Sequence, residues 1–439
     1  MQTLYLKKNT LLKNILLLFL VCIISSCEAS LQETAPLPSP STAQPNIVFI
    51  IADDMGLDAS PGYSVAGQKP NMPTLQNMIN TGIVFTNVWS NPTCSPTRAT
   101  ILTGRYGFRT GVTEVGIDLP TTEVSLFKYL SEQTGDAYSN ALIGKWHLSN
   151  SATQPNEMGV EYFAGFLRGA VQSYYDWDLT INGSTSVSTE YATTKLTDLA
   201  IDWIAEQEKP WFLWLAYNAP HTPFHLPPSN LHSQGALPND QASINSNPLP
   251  YYLAMLEAMD TEMGRLINSI PAEQRENTVF IFLGDNGTPR QVVQTYDRFH
   301  AKDAIYQGGI NVPMVICGKN VSRTQATEDA LINTTDLFAT IAAIAGVEVS
   351  ELNDSKSFKS LLEQANLPIR NYVFAERGEE NTIRNLTHKY LLFENGIEEF
   401  YNLSADPLET SDLLKNLPLS NADQLILNEL KSELKNIRN

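Results

Sequence analysis

The sequence predicts an α/β fold: a mostly parallel mixed sheet flanked by helices on both faces, followed by a smaller C-terminal α+β part built on an antiparallel sheet. Short apolar, β-branched runs alternate with helical patterns from Asn46 to about Gly346, which is the signature of strands covered by crossover helices. After Leu352 the pattern changes to short strands and turns. A chain of 439 residues with 43% hydrophobic content can bury a large core and exceeds what one ordinary domain needs. The expected organisation is a signal over 1–26, a tether over 27–45, a catalytic α/β domain over 46–352 and a C-terminal subdomain over 353–439.

At the amino terminus, Lys7, Lys8 and Lys13 precede an apolar run from Ile15 to Ile24 that is too short for a convincing membrane span, then Ser25-Ser26-Cys27. This order looks like a bacterial lipoprotein signal, with Cys27 lipidated after cleavage; an ordinary secretory signal cut nearby is the alternative. The first implies a lipid-anchored protein of the bacterial cell envelope, on the outer membrane and facing periplasm or surface, the second a periplasmic one. Leu31 to Pro45, rich in Pro, Ser and Thr, reads as a tether. Cys22 leaves with the signal, so no pair of cysteines remains for a structural disulfide once Cys27 and Cys94 are otherwise engaged.

Within the α/β part, Asn46 to Ile51 reads as a buried parallel strand that delivers Asp53-Asp54 at its carboxyl end, and Thr278 to Leu283 repeats the design with Asp285-Asn286-Gly287. Ligands gather outside the carboxyl ends of strands in open α/β sheets, so adjacent strands would bring these acids together. Taken alone, Asp53-Asp54 could be a turn with capping acids. Three carboxylates and an amide form a hard oxygen set, better suited to Ca²⁺ than to Mg²⁺, whereas zinc would want histidine or thiolate. Further strand ends deliver Gly144-Lys145-Trp146-His147 and Asn218-Ala219-Pro220-His221, and Lys302 precedes Tyr306-Gln307-Gly308-Gly309. Helices are expected over Tyr191–Gln207, Pro250–Ile270 and Thr334–Ala345. Beyond them, strands are expected over Tyr372–Glu376, Thr382–Arg384 and Lys389–Phe393, and a polar helix over Ser420–Asn436.

Cys94-Ser95-Pro96-Thr97-Arg98, running on to Thr103-Gly104-Arg105, resembles the signature of type I sulfatases through twelve consecutive positions. Pro96 suits the first turn of a helix, which would put residue 94 at the positive end of the dipole. The G-K-W-H, A-P-H and K-x-x-x-Y-x-G-G blocks, and Tyr401-Asn402-Leu403 through Asp406-Pro407-Leu408-Glu409, are similar to further blocks of that family in the same order. The resemblance implies an alkaline phosphatase-like fold and a Cys94 oxidised to formylglycine by a separate maturation enzyme. It further implies a cation held by Asp53, Asp54, Asp285 and Asn286 together with an oxygen of the modified residue 94. Arg98 would orient the hydrated aldehyde, and Lys145 and Lys302 would clamp sulfate oxygens. His221, with Lys302, would protonate the departing alcohol, and His147 would act as general base on the second hydroxyl.

The departures are the run Met55-Gly56-Leu57-Asp58, shortened where the family has a glycine-rich stretch, and Arg168, which follows a family-like Gly165-Phe166 without an assured role. Arg168, His225, Arg290, Arg298 and His300 flank the motifs on loops and are candidates for gripping sugar or a second anion. The formal net charge of −18, or −21 once the three signal lysines leave, would repel an anionic substrate from most of the surface. Attraction must then be local, aided by a saline setting, and no nucleic-acid partner is expected. The resulting expectation is a sulfatase releasing sulfate from sulfated oligosaccharides. A phosphate or phosphonate ester hydrolase of the same superfamily, or an inactive glycan-binding lipoprotein, is the alternative.

Overall fold

Strand β1 (Asn46–Ala52) is buried at all seven positions, as its run of Ile47, Val48, Phe49, Ile50 and Ile51 requires. It lies at the centre of a ten-stranded sheet in the computed structural model, which describes residues 44–439; the signal, Cys27 and nearly all of the tether fall outside the described residues. The other nine strands are β2 (Gly82–Phe85), β3 (Ser139–Lys145), β4 (Tyr162–Phe166), β5 (Trp177–Ile181), β6 (Ser184–Ser188), β7 (Trp211–Ala216), β8 (Thr278–Gly284), β9 (Met314–Gly318) and β10 (Ala326–Glu328). Their order is β10-β2-β9-β8-β1-β7-β3-β4-β5-β6. The central five, β8 to β4, are parallel throughout. Antiparallel pairings begin on either side, at β9 and at the β5–β6 hairpin.

Helices cover both faces because β1 is apolar on both. Val48 and Ile50 point into one core with Leu75 of α1 (Pro73–Thr81), Leu196 of α4 (Ala192–Ala205) and Met255 of α5 (Leu249–Ser269). Ile47, Phe49 and Ile51 point into the other, with Ile101 of α2 (Cys94–Thr103), Phe127 of α3 (Leu126–Thr134) and Phe338 of α6 (Leu337–Ile344). The helix expected over Tyr191–Gln207 is present, trimmed by one residue at its start and two at its end, and the one expected over Pro250–Ile270 is present one residue earlier. Thr334–Ala345 begins with a 3₁₀ turn over Thr334–Asp336 before α6. The β5–β6 hairpin was not expected. β6 reads Ser-Thr-Ser-Val-Ser and is exposed at four of five positions, so it has no apolar alternation to announce it.

A four-stranded antiparallel sheet follows: β11 (Val373–Arg377), β12 (Glu380–Arg384), β13 (His388–Leu392) and β14 (Glu398–Asn402), in chain order. Helix α7 (Asn421–Arg438) packs Leu427, Leu430 and Leu434 on Phe374, Ile383 and Phe400 of this sheet. A buried ion pair joins the sheet to the α/β part. Lys389 Nζ lies 2.6 Å from Glu409 Oε1, both side chains at 1% exposure or less. Glu409 Oε2 accepts the backbone N–H of Gln307. The Lys389 ammonium also sits 5.0 Å from the ring centre of Trp89 and 5.8 Å from that of Tyr306.

Candidate active site

Register decides how the motifs meet. Ala52 is paired with Gly284 across β1 and β8, so Asp53 and Asp285 emerge level with one another. On the other side, Gly144 is level with Ala216 across β3 and β7, which brings Lys145 to the same end of the sheet. A Cβ at Gly144 would fall 1.9 Å from the Ala216 carbonyl oxygen, so the two strands approach this closely only because residue 144 has no side chain.

Asp53, Asp54, Asp285 and Asn286 are all buried, at 1% exposure or less. Lys145 Nζ donates to Asp53 Oδ2 at 2.5 Å, and Lys302 Nζ donates to Asp54 Oδ2 at 2.6 Å. Arg98, buried on α2, donates from Nη2 to Asp285 Oδ2 at 2.7 Å and from Nη1 to the Lys145 carbonyl at 2.9 Å. Asn286 turns its Nδ2 to Asp54 Oδ1 at 2.7 Å, which leaves its own Oδ1 unpaired. Asp53 Oδ1 is likewise buried without a partner. Burial pushes the Asp53 carboxyl above its usual range and that of Asp285 up to about 6, with the neighbouring acids adding to the effect. At Asp54 burial acts in the same direction, but Lys302 and His221 outweigh it and hold the carboxyl below its usual range. Two orphaned oxygens among three crowded carboxylates are what a hard divalent cation would satisfy, so the donor set fits the ion that the sequence motifs imply.

Cys94 is the first residue of α2, whose ten residues are all buried and which closes at Gly104 in the left-handed region. The expected helix start and the placement of residue 94 at its positive end are therefore both found. Burial raises the thiol pKa, so an unmodified Cys94 is held as a poor nucleophile. Its Sγ lies 3.1 Å from His147 Nδ1. His147 is held at φ +56°. Its carbonyl accepts from Ser95 Oγ at 3.0 Å, which ties it to the same helix. Burial, reinforced by Lys145 and Arg98, pushes the His147 pKa down to about 2. His221 Nε2 lies 3.7 Å from Asp54 Oδ2, and burial brings its pKa down to about 4 even though Asp54 opposes the shift. Both imidazoles are neutral at pH 7 in this state.

Asp54, Cys94, His147, His221 and Lys302 line one cavity of about 870 Å³, with Arg290 and Arg298 at its edge. Lys145, Asp53 and Arg98 are buried and are not among its lining residues. The looser candidates scatter. His225 is enclosed by Tyr174, Tyr175 and Tyr191, with its Nε2 3.1 Å from the Tyr191 hydroxyl. His300 stacks on Tyr306 with ring centres 3.5 Å apart. Arg168 lines a smaller cavity of about 200 Å³ that shares only Ala170 with the main one. Thr222, Gln291 and Asp303 also line the main cavity and were not singled out from sequence, because nothing in those residue types marks them apart from other loop residues.

A single family model, that of the sulfatases, matches residues 45–347, more than half of the chain. The chain belongs to the sulfatase family. It is 26% identical to arylsulfatase J of Mus musculus over 351 residues, covering 74% of this chain and 56% of that protein. It thus spans little more than half the length of that curated relative. It is 25% identical to an ulvan-active sulfatase of Formosa agariphila over 426 residues, covering 89% of this chain and 80% of the relative. The crystal structure of Ps i-CgsB in complex with k-i-k-neocarrahexaose superposes with a TM-score of 0.75 at 23% identity, over 90% of this chain and 92% of that one, and so shares the fold.

Proposed function

We propose that this sulfatase-family chain hydrolyses sulfate esters of a carbohydrate, taking oligosaccharides derived from a sulfated polysaccharide and releasing inorganic sulfate. The observation that carries the proposal is the convergence of Cys94, His147, His221 and Lys302 on one cavity beside three carboxylates and an amide, among which Asp53 Oδ1 and Asn286 Oδ1 are orphaned. The carbohydrate assignment draws support from one relative that is ulvan-active and from a fold neighbour that binds a carrageenan-type hexaose. A cavity of about 870 Å³ also has room for sugar rings.

In this proposal a formylglycine-generating enzyme oxidises Cys94, and the hydrated aldehyde supplies one hydroxyl to attack sulfur and a second to expel sulfate. Ca²⁺, with Mg²⁺ the poorer fit, would be held by Asp53, Asp54, Asp285 and Asn286 and would supply positive charge against the ester. Lys145 and Lys302 hold sulfate oxygens through protons not given to Asp53 and Asp54. Arg98, pinned by Asp285 and the Lys145 carbonyl, orients residue 94. His147, neutral and 3.1 Å from the side chain of residue 94, accepts the proton there. His221 donates to the departing sugar oxygen: a bound anion offsets the two lysine charges that now depress its proton affinity. Anchoring through lipid on Cys27 and residence at a bacterial envelope are proposed from the amino-terminal sequence alone, and replacing Cys27 by Ala should release the protein from membranes.

The deciding experiment pairs mass analysis of the peptide containing residue 94, from protein matured in its native host, with parallel assays on sulfate and phosphate esters of the same alcohols. The expected result is formylglycine at 94 and preference for the sulfate ester. An unaltered thiol in fully active protein, or preference for the phosphate ester, overturns the proposal.

A further inference from the structure

The segment from Pro289 to His300 is built as a rigid lip on the catalytic cavity. Asp58, fully buried, accepts from Thr288 Oγ1 through Oδ1 and from the backbone N–H of Gln294 at 2.8 Å through Oδ2. Gln294 in turn accepts from the Gln68 N–H and donates to the Gln68 carbonyl, and Thr295 Oγ1 donates to Ala66. At the far end, the Phe299 N–H is held by Asp297 Oδ1 at 2.7 Å. The short run Met55-Gly56-Leu57-Asp58 thus acquires a role, since its last residue fastens the lip. A Cβ at Gly56 would fall 2.7 Å from the Thr288 backbone nitrogen, which keeps the two segments in contact only with glycine there.

The lip presents an aromatic ring to solvent beside the cavity. Phe299 is 60% exposed, although an aromatic side chain ordinarily buries. The guanidiniums of Arg290 and Arg298 lie 5.9 and 5.0 Å from its ring centre. Both arginines line the cavity, and among the described residues neither forms an ion pair, so both guanidiniums are open to a ligand there. Against them the lining sets Asp54, already paired with Lys302, and Asp303. In a chain with a net charge of −18, two unpaired guanidiniums beside an exposed ring mark a place where an anion and an apolar face arrive together.

We propose that Arg290, Arg298 and Phe299 form a second subsite, which takes the sugar next to the sulfated one and requires that sugar to carry its own anionic group. The C–H face of the ring lies on Phe299, and the anion, a carboxylate or a second sulfate, is gripped by the two guanidiniums. This deepens the sulfated-carbohydrate proposal and rests on it. It makes the enzyme selective for a charged polymer fragment over an isolated sulfated sugar.

The test uses the full chain with Cys94→Ala, in calcium-containing buffer, and three matched oligosaccharides whose neighbouring sugar is neutral, carboxylated or sulfated. Calorimetry should show the charged ligands binding about tenfold or more tighter than the neutral one, with a preference that shrinks as salt is raised. Arg290→Ala with Arg298→Ala should erase the preference, the double Lys variant should keep part of it, and Phe299→Ala should weaken all three ligands. The tighter of the two charged ligands names the anion. Equal affinities, or a preference that survives the double Ala variant, overturn the subsite. If unmutated protein meanwhile releases sulfate from the neutral-neighbour ligand, only the subsite has failed. If it releases sulfate from none of the three while hydrolysing phosphate esters, the parent proposal falls and the subsite with it.

Discussion

Two clusters of buried charge in this molecule are made of the same ingredients and finished differently. Around residue 94, three carboxylates, two lysines and an arginine are packed together, yet Asp53 Oδ1 and Asn286 Oδ1 have no partner and neighbouring groups open on a cavity. At the junction with the C-terminal sheet, Lys389 Nζ and Glu409 Oε1 also miss hydrogen-bond geometry, but they face each other at 2.6 Å, closed off at 0% and 1% exposure, with the ammonium near the rings of Trp89 and Tyr306. Buried charge left incomplete is costly in the protein alone and is poised for a ligand; buried charge that is closed serves the fold. Substitutions should therefore separate cleanly, with activity falling at the first cluster and stability at the second.

The largest separation is expected at Cys94. Cys94→Ala should reduce turnover by roughly 10⁶-fold, as loss of a covalent nucleophile does. Its denaturation midpoint should stay close to that of the unmutated protein, because the thiol contributes little packing beyond the cavity wall. A midpoint that collapsed with activity would erase the distinction between the clusters. Chelation sharpens the same point: removing the proposed cation should abolish activity and also lower stability, by about 2.7 kcal/mol for an ion that had been present at 100 times its Kd. A chelated protein with unchanged melting and unchanged rate would show that the orphaned oxygens hold nothing.

Next in size is His221. Removing a general acid costs about 100 to 10,000-fold, and only where the leaving group needs a proton. His221→Ala should therefore lose that much on a sulfated sugar, whose leaving alcohol is strongly basic, and far less on 4-nitrophenyl sulfate. Equal losses on both would reassign His221 from proton donor to sulfate positioning.

How much of this could be read from sequence differs between the clusters for a physical reason. The proposed catalytic residues sit at strand ends and at a helix start, where an apolar run followed by Asp53-Asp54, Asp285-Asn286 or Lys145 is visible in one dimension. Parallel register then does the rest, bringing Ala52 level with Gly284 and Gly144 level with Ala216. Glu409 closes the family-like block that begins at Tyr401, but nothing in that block names Lys389 as its partner, since the pairing depends on how a strand of the C-terminal sheet meets a loop twenty residues later and on which aromatic rings lie nearby. The same limit explains the peripheral candidates. His225 and His300 are flanked by motifs in the chain, but aromatic neighbours capture both rings, and stacking partners cannot be seen from local sequence. Arg290 reaches the cavity because Asp58 fastens its loop, a link spanning 230 positions.

At the closed cluster, Glu409→Gln leaves a lysine buried without its counter-charge and should cost about 3–5 kcal/mol by denaturant titration. Lys389→Met together with Glu409→Gln should cost less than either single change, because the stranded charge is gone and the methionine still fills the space under Trp89. If the double variant is instead the least stable, the ion pair contributes more than its burial costs, and the junction is held by electrostatics.

The smallest effect is a pH dependence centred on the closed cluster. Burial, opposed by Glu409 and Glu399 and assisted by Arg384, pushes the Lys389 ammonium down from 10.5 to about 8. Between these values the unfolded chain binds a proton that the native state has released, so raising the pH removes an advantage of the unfolded state. The contribution of this site to stability should therefore rise from about pH 8 to pH 10.5 and stay level on either side, by roughly 3 kcal/mol in all. Many other groups titrate in that window, including buried tyrosines whose raised pKa values act in the opposite sense, such as Tyr217 and Tyr138. The measurement is therefore the difference between unmutated protein and Lys389→Met at each pH, in which the shared titrations cancel. A difference that is flat with pH would mean that Lys389 keeps its proton in both states and that the ion pair at the junction is tighter than its burial implies.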